Sequence, residues 1–505
     1  MSGGSAKTDD LLGAVAHLAT RNVVQQIVGT VRGLILPNLL GPAHYGVVAT
    51  ALLFEQLAGY VNLGVHTATL YLAPVKLAEG RPEEARAIHD AVLSFTALTG
   101  VAATTAIVGW IWISRGSLAP ELVWPLLLAA GFPLFLSMRG SLIIWLRSTN
   151  QFGAVARTGV AGSLVVLFTT IAFGWIWDST GVVVGQALSY VLIVGWLLRL
   201  APPRRLSLNP AFLAKLLKVG IPIHMVLGGT LVYVRSLERI VAVRLFSAAD
   251  VGYYAIGQAF ASLLILVPSA VIEAIAPEYI VRANEPAELS KPFLVKTTFL
   301  MAAVMAVLVA GLVAALPGIL RVLFPSFQAG VVIGQLLCLS AYFEAILTGP
   351  HYVVITRGRL KPYILFVGAL ALIASWVLAA AGRWDGIRGI ASAAVVLTAV
   401  RALGVVWASG RLTGHSTRET VRIVCSLLVI GLTAVAAAAF VGWLLPIQPQ
   451  LGGLLTLALG CARGVAAMLI VIGLIAVGGR FVHLQPPMLA DQLARFSRLL
   501  SLRTR

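Results

Sequence analysis

The chain has 505 residues, 59% of them hydrophobic and 11% charged, with a formal net charge of +18 and a mean hydropathy of +0.94. A soluble domain carries roughly 25% charged residues, so these proportions exclude a water-facing globule and define a polytopic membrane protein. No polar stretch reaches the ~50 residues of a small soluble domain, which argues against a separate catalytic head and against an enzyme.

The start, MSGGSAKTDD, has no basic n-region ahead of a short apolar core, so no cleaved signal peptide is expected. A spanning helix needs about 20 mostly apolar residues. Fourteen such segments are predicted, centred near residues 24, 59, 101, 133, 166, 190, 233, 262, 304, 341, 370, 397, 433 and 465. Turn residues mark the joints, among them GPAHYG, EGRPEEAR, DSTG, FSAAD, GRWDG and SGRLTGHSTRE. The expected fold class is therefore all-α, with two six-helix bundles and two C-terminal helices. The division places the N-terminal bundle at residues 1–200, a cytoplasmic linker at 201–219 and the C-terminal bundle at 220–409. Two further helices follow at 410–480, then a basic cytoplasmic tail at 481–505.

Lysine and arginine orient this arrangement. With the N-terminus in the cytoplasm, 25 of the 37 basic residues fall in cytoplasmic segments and 4 in the opposite loops. That asymmetry follows the positive-inside rule and predicts that both termini are cytoplasmic. It also accounts for most of the +18 as topology and contact with anionic lipid, not as a nucleic-acid footprint.

An internal repeat organises the spans. LLGPAHYGVVATALLFEQL, from Leu39, returns as LFSAADVGYYAIGQAFASL, from Leu245. At an offset of 206, Leu39, Ala43, Gly46, Ala49, Phe54, Leu57 and Val61 fall on Leu245, Ala249, Gly252, Ala255, Phe260, Leu263 and Val267. Six spans separate the copies, so they share one orientation. Parallel repeats of this kind predict a two-fold axis along the membrane normal and a substrate path between the halves.

Polar residues inside the spans mark that path. A charge at the bilayer centre costs about 2.5 to 3.5 kcal/mol on insertion scales, so such residues face a cavity or a partner. In the first span His17, Arg21, Gln25 and Arg32 share one helical stripe. In the second, Glu55, Gly59, Asn62 and His66 share a face; in the seventh, His224, Gly228, Arg235 and Arg239 do so. Glu273 and Glu344 lie in the eighth and tenth spans and, with Glu55, are candidate ion-coupling carboxylates. Structural roles compete with each assignment. Arg235 could pair with Glu238, three residues away, Arg32 and Arg244 could snorkel, and Glu55 could serve as the partner of Arg21 or Arg32. All eight basic residues within spans are arginine, and five of them sit in spans one and seven. Arginine holds phosphate or carboxylate bidentately, so the cavity is predicted to select an anion. Cys338, Cys425 and Cys461 lie in apolar runs with no metal spacing. No P-loop is present, and no cofactor is expected.

The stretch LLGPAHYGVVATALLFEQLAGYVNLG resembles the first hairpin of the polysaccharide flippases in the multidrug/oligosaccharidyl-lipid/polysaccharide (MOP) exporter superfamily. Gly220, Ile221, Pro222, Val251, Gly252, Tyr253, Tyr254 and Ala255 match the pattern at the start of their second half, and PSAVIEAIAPEY from Pro268 resembles the end of their eighth span. These motifs cover about a seventh of the chain. The resemblance implies a MATE-like architecture and export of a polyprenyl-diphosphate-linked oligosaccharide across the bacterial inner membrane by alternating access. It implies that Arg21, Arg32, Arg235 and Arg239 contact diphosphate or anionic sugar, and that glycan polymerase and glycosyltransferases are partners. The last two helices are expected to build a groove for the lipid tail. The competing reading is a cation-coupled drug or metabolite antiporter of the same superfamily.

Overall fold

The computed structural model describes residues 3–208, 210–224, 230–282, 285–357, 360–447 and 452–481. Side chains ahead of Thr20 and those of some helical residues, His17, His224, Arg235 and Glu273 among them, lie outside the described set, as does Gly228.

Among the described residues all regular structure is helical. In chain order the helices are α1 (Gly3–Ala51), α2 (Leu53–Val61), α3 (Val65–Ala78), α4 (Pro82–Ser114), α5 (Pro120–Ala129), α6 (Phe132–Ser148), α7 (Phe152–Leu200), α8 (Pro210–His224), α9 (Thr230–Leu245), α10 (Ala248–Arg282) and α11 (Ala287–Leu323). A 3₁₀ turn (Pro325–Gly330) leads to α12 (Val331–Thr356), α13 (Leu360–Leu412), α14 (Thr417–Leu444) and α15 (Gly453–Phe481). The chain forms two compact units, Met1–Ala255 with Lys361–Ile390, and Ile256–Leu360 with Ala391–Arg505.

The predicted joints set the helix ends. Gly80 is left-handed, at φ 72°, and Pro82 opens α4 with Glu83 and Glu84 in its first turn. Proline at that position forgoes an N–H that has no helical partner anyway, and the acids complement the helix dipole. Ser247 and Asp250 exchange backbone-to-side-chain hydrogen bonds of 3.3 Å at the start of α10. Ser416 and Glu419 do the same at the start of α14, at 2.7 and 3.2 Å. Both are capping boxes.

Among the described residues ten helices are long and apolar enough to cross a membrane, against fourteen expected. Three of the ten contain a break at a predicted joint: Gly41 in α1, Trp177 and Asp178 in α7, and Asp385 and Gly386 in α13. The expected seventh span runs through residues 225–229, outside the described set. A straight helix of 49 residues would be ~74 Å long, more than twice the ~30 Å hydrocarbon core. α7 is instead a hairpin. The hydroxyl of Thr169, on its first limb, donates to the carbonyl of Gly185 on the second at 2.9 Å.

The first unit holds the two repeat copies against each other. A Cβ on Gly46 would collide with the carbonyl oxygen of Ala248, and one on Gly252 with the carbonyl oxygen of Pro42. At the offset of 206, Pro42 corresponds to Ala248 and Gly46 to Gly252. The contact is therefore reciprocal, as across a two-fold axis. Small residues four apart on each segment let the backbones meet, the packing device of membrane helices.

Two breaks were not visible in the sequence. α2 and α3 are interrupted at Asn62–Gly64, where Leu63 and Gly64 take φ values of 46° and 83°. α5 and α6 divide one expected span at Ala130 and Gly131. The linker after α7 is strapped to α4. The buried carboxylate of Asp90 accepts from the backbone N–H groups of Arg204 and Arg205, at 3.1 and 3.2 Å, and Glu83 pairs with Arg204 at 2.7 Å.

Tryptophans stand exposed at helix ends next to the joints: Trp112, Trp124, Trp175, Trp177, Trp384 and Trp443. Indole rings favour the bilayer interface, where one end is apolar and the other wet.

Candidate functional site

The first unit contains a polar relay between α1, α7 and α2, buried at its middle and half-buried at its two charged ends. Arg32 donates through Nη2 to Gln186 Oε1 at 2.7 Å. Gln186 donates through Nε2 to the hydroxyl of Tyr190 at 2.6 Å. Tyr190 donates in turn to Glu55 Oε1 at 2.6 Å. Gln186 and Tyr190 are buried and one helical turn apart on the second limb of α7, so that limb carries both connecting groups. The charge of Glu55 also feels Arg139 of α6 and Arg239 of α9, in addition to Arg32. Tyr45 lies within the fields of Arg32 and Arg239. The fields of three arginines thus act on one carboxylate, and these four charges sum to net positive. Nε of Arg139 is buried without a hydrogen-bond partner. Such a cluster, partly shielded from water, attracts an anion.

The first-span stripe divides along its length. Arg32 joins the relay. Gln25 donates to the carbonyl of Gly159 at 3.1 Å, which ties α1 to the first limb of α7. Arg21 lies over the same glycine: a Cβ there would collide with its Nε and come within 2.7 Å of its Cδ. The structure therefore gives Arg32 the counter-charge of Glu55, through two intermediaries, and sets Arg21 apart in a groove of α7.

Asn62 has a local task. Its Oδ1 accepts from the Gly64 N–H at 2.8 Å, and its Nδ2 donates to the carbonyl of Gly59 at 2.8 Å. It satisfies backbone groups freed by the break between α2 and α3, which matters where water is absent. His66 lies beyond the break and bonds Ser141 at 2.9 Å. Glu238 accepts from the Tyr254 hydroxyl at 2.6 Å, a second buried tyrosine–carboxylate contact. The side chains of His224, Arg235 and Glu273 fall outside the described residues.

In the second unit Glu344 faces Arg401 at 3.6 Å, with Arg401 only 2% exposed. The neighbouring helices are also joined by Ser340 donating to Thr398 at 3.0 Å. A carboxylate with an arginine for its partner is a poor cation site.

Sequence reasoning passed over Arg139, Gln186 and Tyr190. Arg139 carried a signal, as an arginine within a span and with no acid within a helical turn. Gln186 and Tyr190 carried none, because their importance depends on the α7 hairpin bringing them to α1 and α2.

Fold and site together define a multi-pass, all-helical membrane protein with a half-buried arginine cluster. The sequence pattern described as polysaccharide biosynthesis protein matches residues 35–332, and the chain belongs to that family. No curated protein matches it. Among solved structures, the lipid II flippase MurJ in an inward closed conformation aligns with a TM-score of 0.67 at 13% identity, covering 92% of this chain and 99% of that one. An inward-facing multidrug resistance MATE family transporter of the MOP superfamily gives 0.61 at 14% identity, over 79% and 98%. A MATE structure in complex with MaL6 gives 0.55 at 14%, over 79% and 96%. At such identities the likeness is one of fold. The resemblance read from the GPAHYG and Val251–Ala255 segments holds at the level of family and architecture.

Proposed function

We propose that this protein is a transporter that moves a polyprenyl-diphosphate-linked oligosaccharide across the cytoplasmic membrane for surface polysaccharide biosynthesis. The observation that carries the reading is the cluster of Arg32, Arg139 and Arg239 whose fields act on Glu55, half-buried in a fold shared with a lipid flippase. The diphosphate, or an acidic sugar beside it, exchanges with Glu55 as the partner of the arginines. Glu55 then keeps the empty cluster from holding uncompensated charge, and the Arg32–Gln186–Tyr190–Glu55 relay holds the side chains apart until the substrate arrives. The chain alternates access, exposing the cluster to one side of the membrane at a time, and the polyprenyl tail stays in lipid. Both termini lie in the cytoplasm. The basic loops support that orientation.

The competing reading, a cation-coupled antiporter, needs carboxylates open to a cation. Glu55 is ringed by arginines and Glu344 is paired with Arg401, which speaks against both.

Complementation tests the reading. The chain is expressed in a bacterium that lacks its own polysaccharide flippase and assembles a glycan of matching type. Restored surface glycan, with loss in Arg32→Ala at equal membrane levels, is expected. New resistance to cationic drugs without surface glycan would move the assignment to the antiporter.

A further inference from the structure

A second anion-seeking site lies apart from the relay. The groove between the Thr20–Arg21 turn of α1 and the two ends of α7 forms a half-open cavity of about 540 Å³, lined by Arg21, Arg157, Thr158, Leu164, Trp196 and Leu200 with smaller residues between. That volume lies within the ~300–1,000 Å³ of small-molecule sites. Its composition is two-sided. Leu164, Trp196, Leu200 and neighbouring alanines make apolar walls, and Trp196 and Leu164 are exposed on the surface of the unit. Arg21 and Arg157 line it, and no acidic residue does so among the described residues.

Among the described residues neither arginine has an ion-pair partner. Nε of Arg21 is buried without a hydrogen bond. The charges that act on Arg21 come from Arg139 and Arg147, so its surroundings add positive potential. Arg157 is exposed at the rim. Gly159 makes this geometry available, since a side chain there would occupy the place of the Arg21 guanidinium. A group that carries negative charge on a small, many-oxygened head and continues into hydrocarbon would satisfy all of these features. The phosphate would take the two forks, and the chains would follow the apolar wall into the bilayer.

We infer that the α1–α7 groove is a binding site for the phosphate head of a membrane lipid, held by Arg21 and Arg157 with its chain along Leu164, Trp196 and Leu200. The site is separate from the relay and does not depend on the identity of the transported glycan. Two lipids present this chemistry, an ordinary phospholipid and a polyprenyl phosphate.

The test is direct binding to the full-length protein in neutral micelles, with no transport step. Phosphatidate, polyprenyl phosphate and phosphatidylcholine are titrated in turn. Tighter binding of a phosphate lipid than of phosphatidylcholine is expected, weakened about fivefold in Arg157→Gln and again in Arg21→Gln, the factor for losing one basic contact near a membrane surface. Arg157 is exposed, so its variant folds. Preference for phosphatidate assigns the groove to bulk lipid, and preference for polyprenyl phosphate assigns it to a waiting position for an isoprenoid carrier. Equal binding of phosphatidylcholine, or binding untouched by both substitutions, overturns the site.

Discussion

Tyr190 sits at the centre of the relay, and its hydroxyl serves two partners. Tyr190→Phe would strip Glu55 of its donor and Gln186 of its acceptor. Each buried group left unsatisfied costs about 1–3 kcal/mol, so the variant should unfold at a clearly lower temperature in detergent. Its transport should fall as well, because Glu55 would be free to bond Arg32 or Arg239 directly and close the cluster. In the second unit, Arg401→Met should destabilise by about 3–5 kcal/mol, as expected when one partner of a buried pair is removed. Arg401→Met with Glu344→Met should recover most of that loss, since a packed apolar pair replaces a buried ionic one at little cost. Thermal unfolding of the single and double variants decides this, and a double variant as unstable as the single would assign Glu344 and Arg401 other partners of equal weight. At this scale the sequence was half legible. Arg32 and Glu55 announce themselves, because a charge in a span needs an explanation. Asn62 did so for a different reason from the one expected: it repairs a broken helix. Gln186 and Tyr190 are ordinary polar residues of a long helix until α7 folds back.

Helix ends were the most legible elements, because their signals are local. GPAHYG, DSTG and GRWDG each contain the residue that leaves helical geometry, and Ser416 with Glu419 forms the cap that its spacing implies. The breaks at Asn62–Gly64 and Ala130–Gly131 lie within apolar runs, where hydropathy alone gives no warning. The repeat contact makes an element-scale prediction. Gly46 and Gly252 approach the carbonyls of each other's segment, and backbone cannot yield as a side chain would. Gly46→Val and Gly252→Val should each cost about 1–3 kcal/mol or more, the range of overpacking, and by reciprocity their effects should be similar. Folded yield after membrane extraction measures both. The joint between α13 and α14 carries a pH dependence. His415 is buried there, bonded to Thr413 at 2.9 Å. Burial pushes its imidazole below the ordinary value, opposed by a hydrogen bond with Gly410, with Lys291 lowering and Glu419 raising it further. The unfolded chain therefore takes up the proton first on acidification. The stability from neutral His415 is complete above the ordinary histidine value of about 6.5 and is lost as pH falls toward the lower folded value. Unfolding midpoints should drop on the acid side of that value in the wild type, and drop less in His415→Asn.

The whole molecule was read best by bulk properties. Hydropathy defined a membrane protein, and the family-like segments around Gly41–Gly46 and Val251–Ala255 led to the architecture that the solved MurJ and MATE structures share. The distribution of the first-span arginines was not readable. A helical stripe fixes which residues share a face, but not which neighbour that face meets. Arg32 meets the second limb of α7 and Arg21 meets the first, so the two arginines have different neighbours.

The most direct measurement is flipping itself. The purified protein is reconstituted into liposomes with a fluorescent polyprenyl-diphosphate oligosaccharide, and the loss of label to an impermeant quencher is followed over time. The account predicts accelerated transfer by the wild type, and transfer reduced to the rate of empty liposomes by Arg32→Ala with the protein still folded. Transfer by Arg32→Ala at the wild-type rate would contradict it, because the arginine cluster would then have no part in carrying the anion.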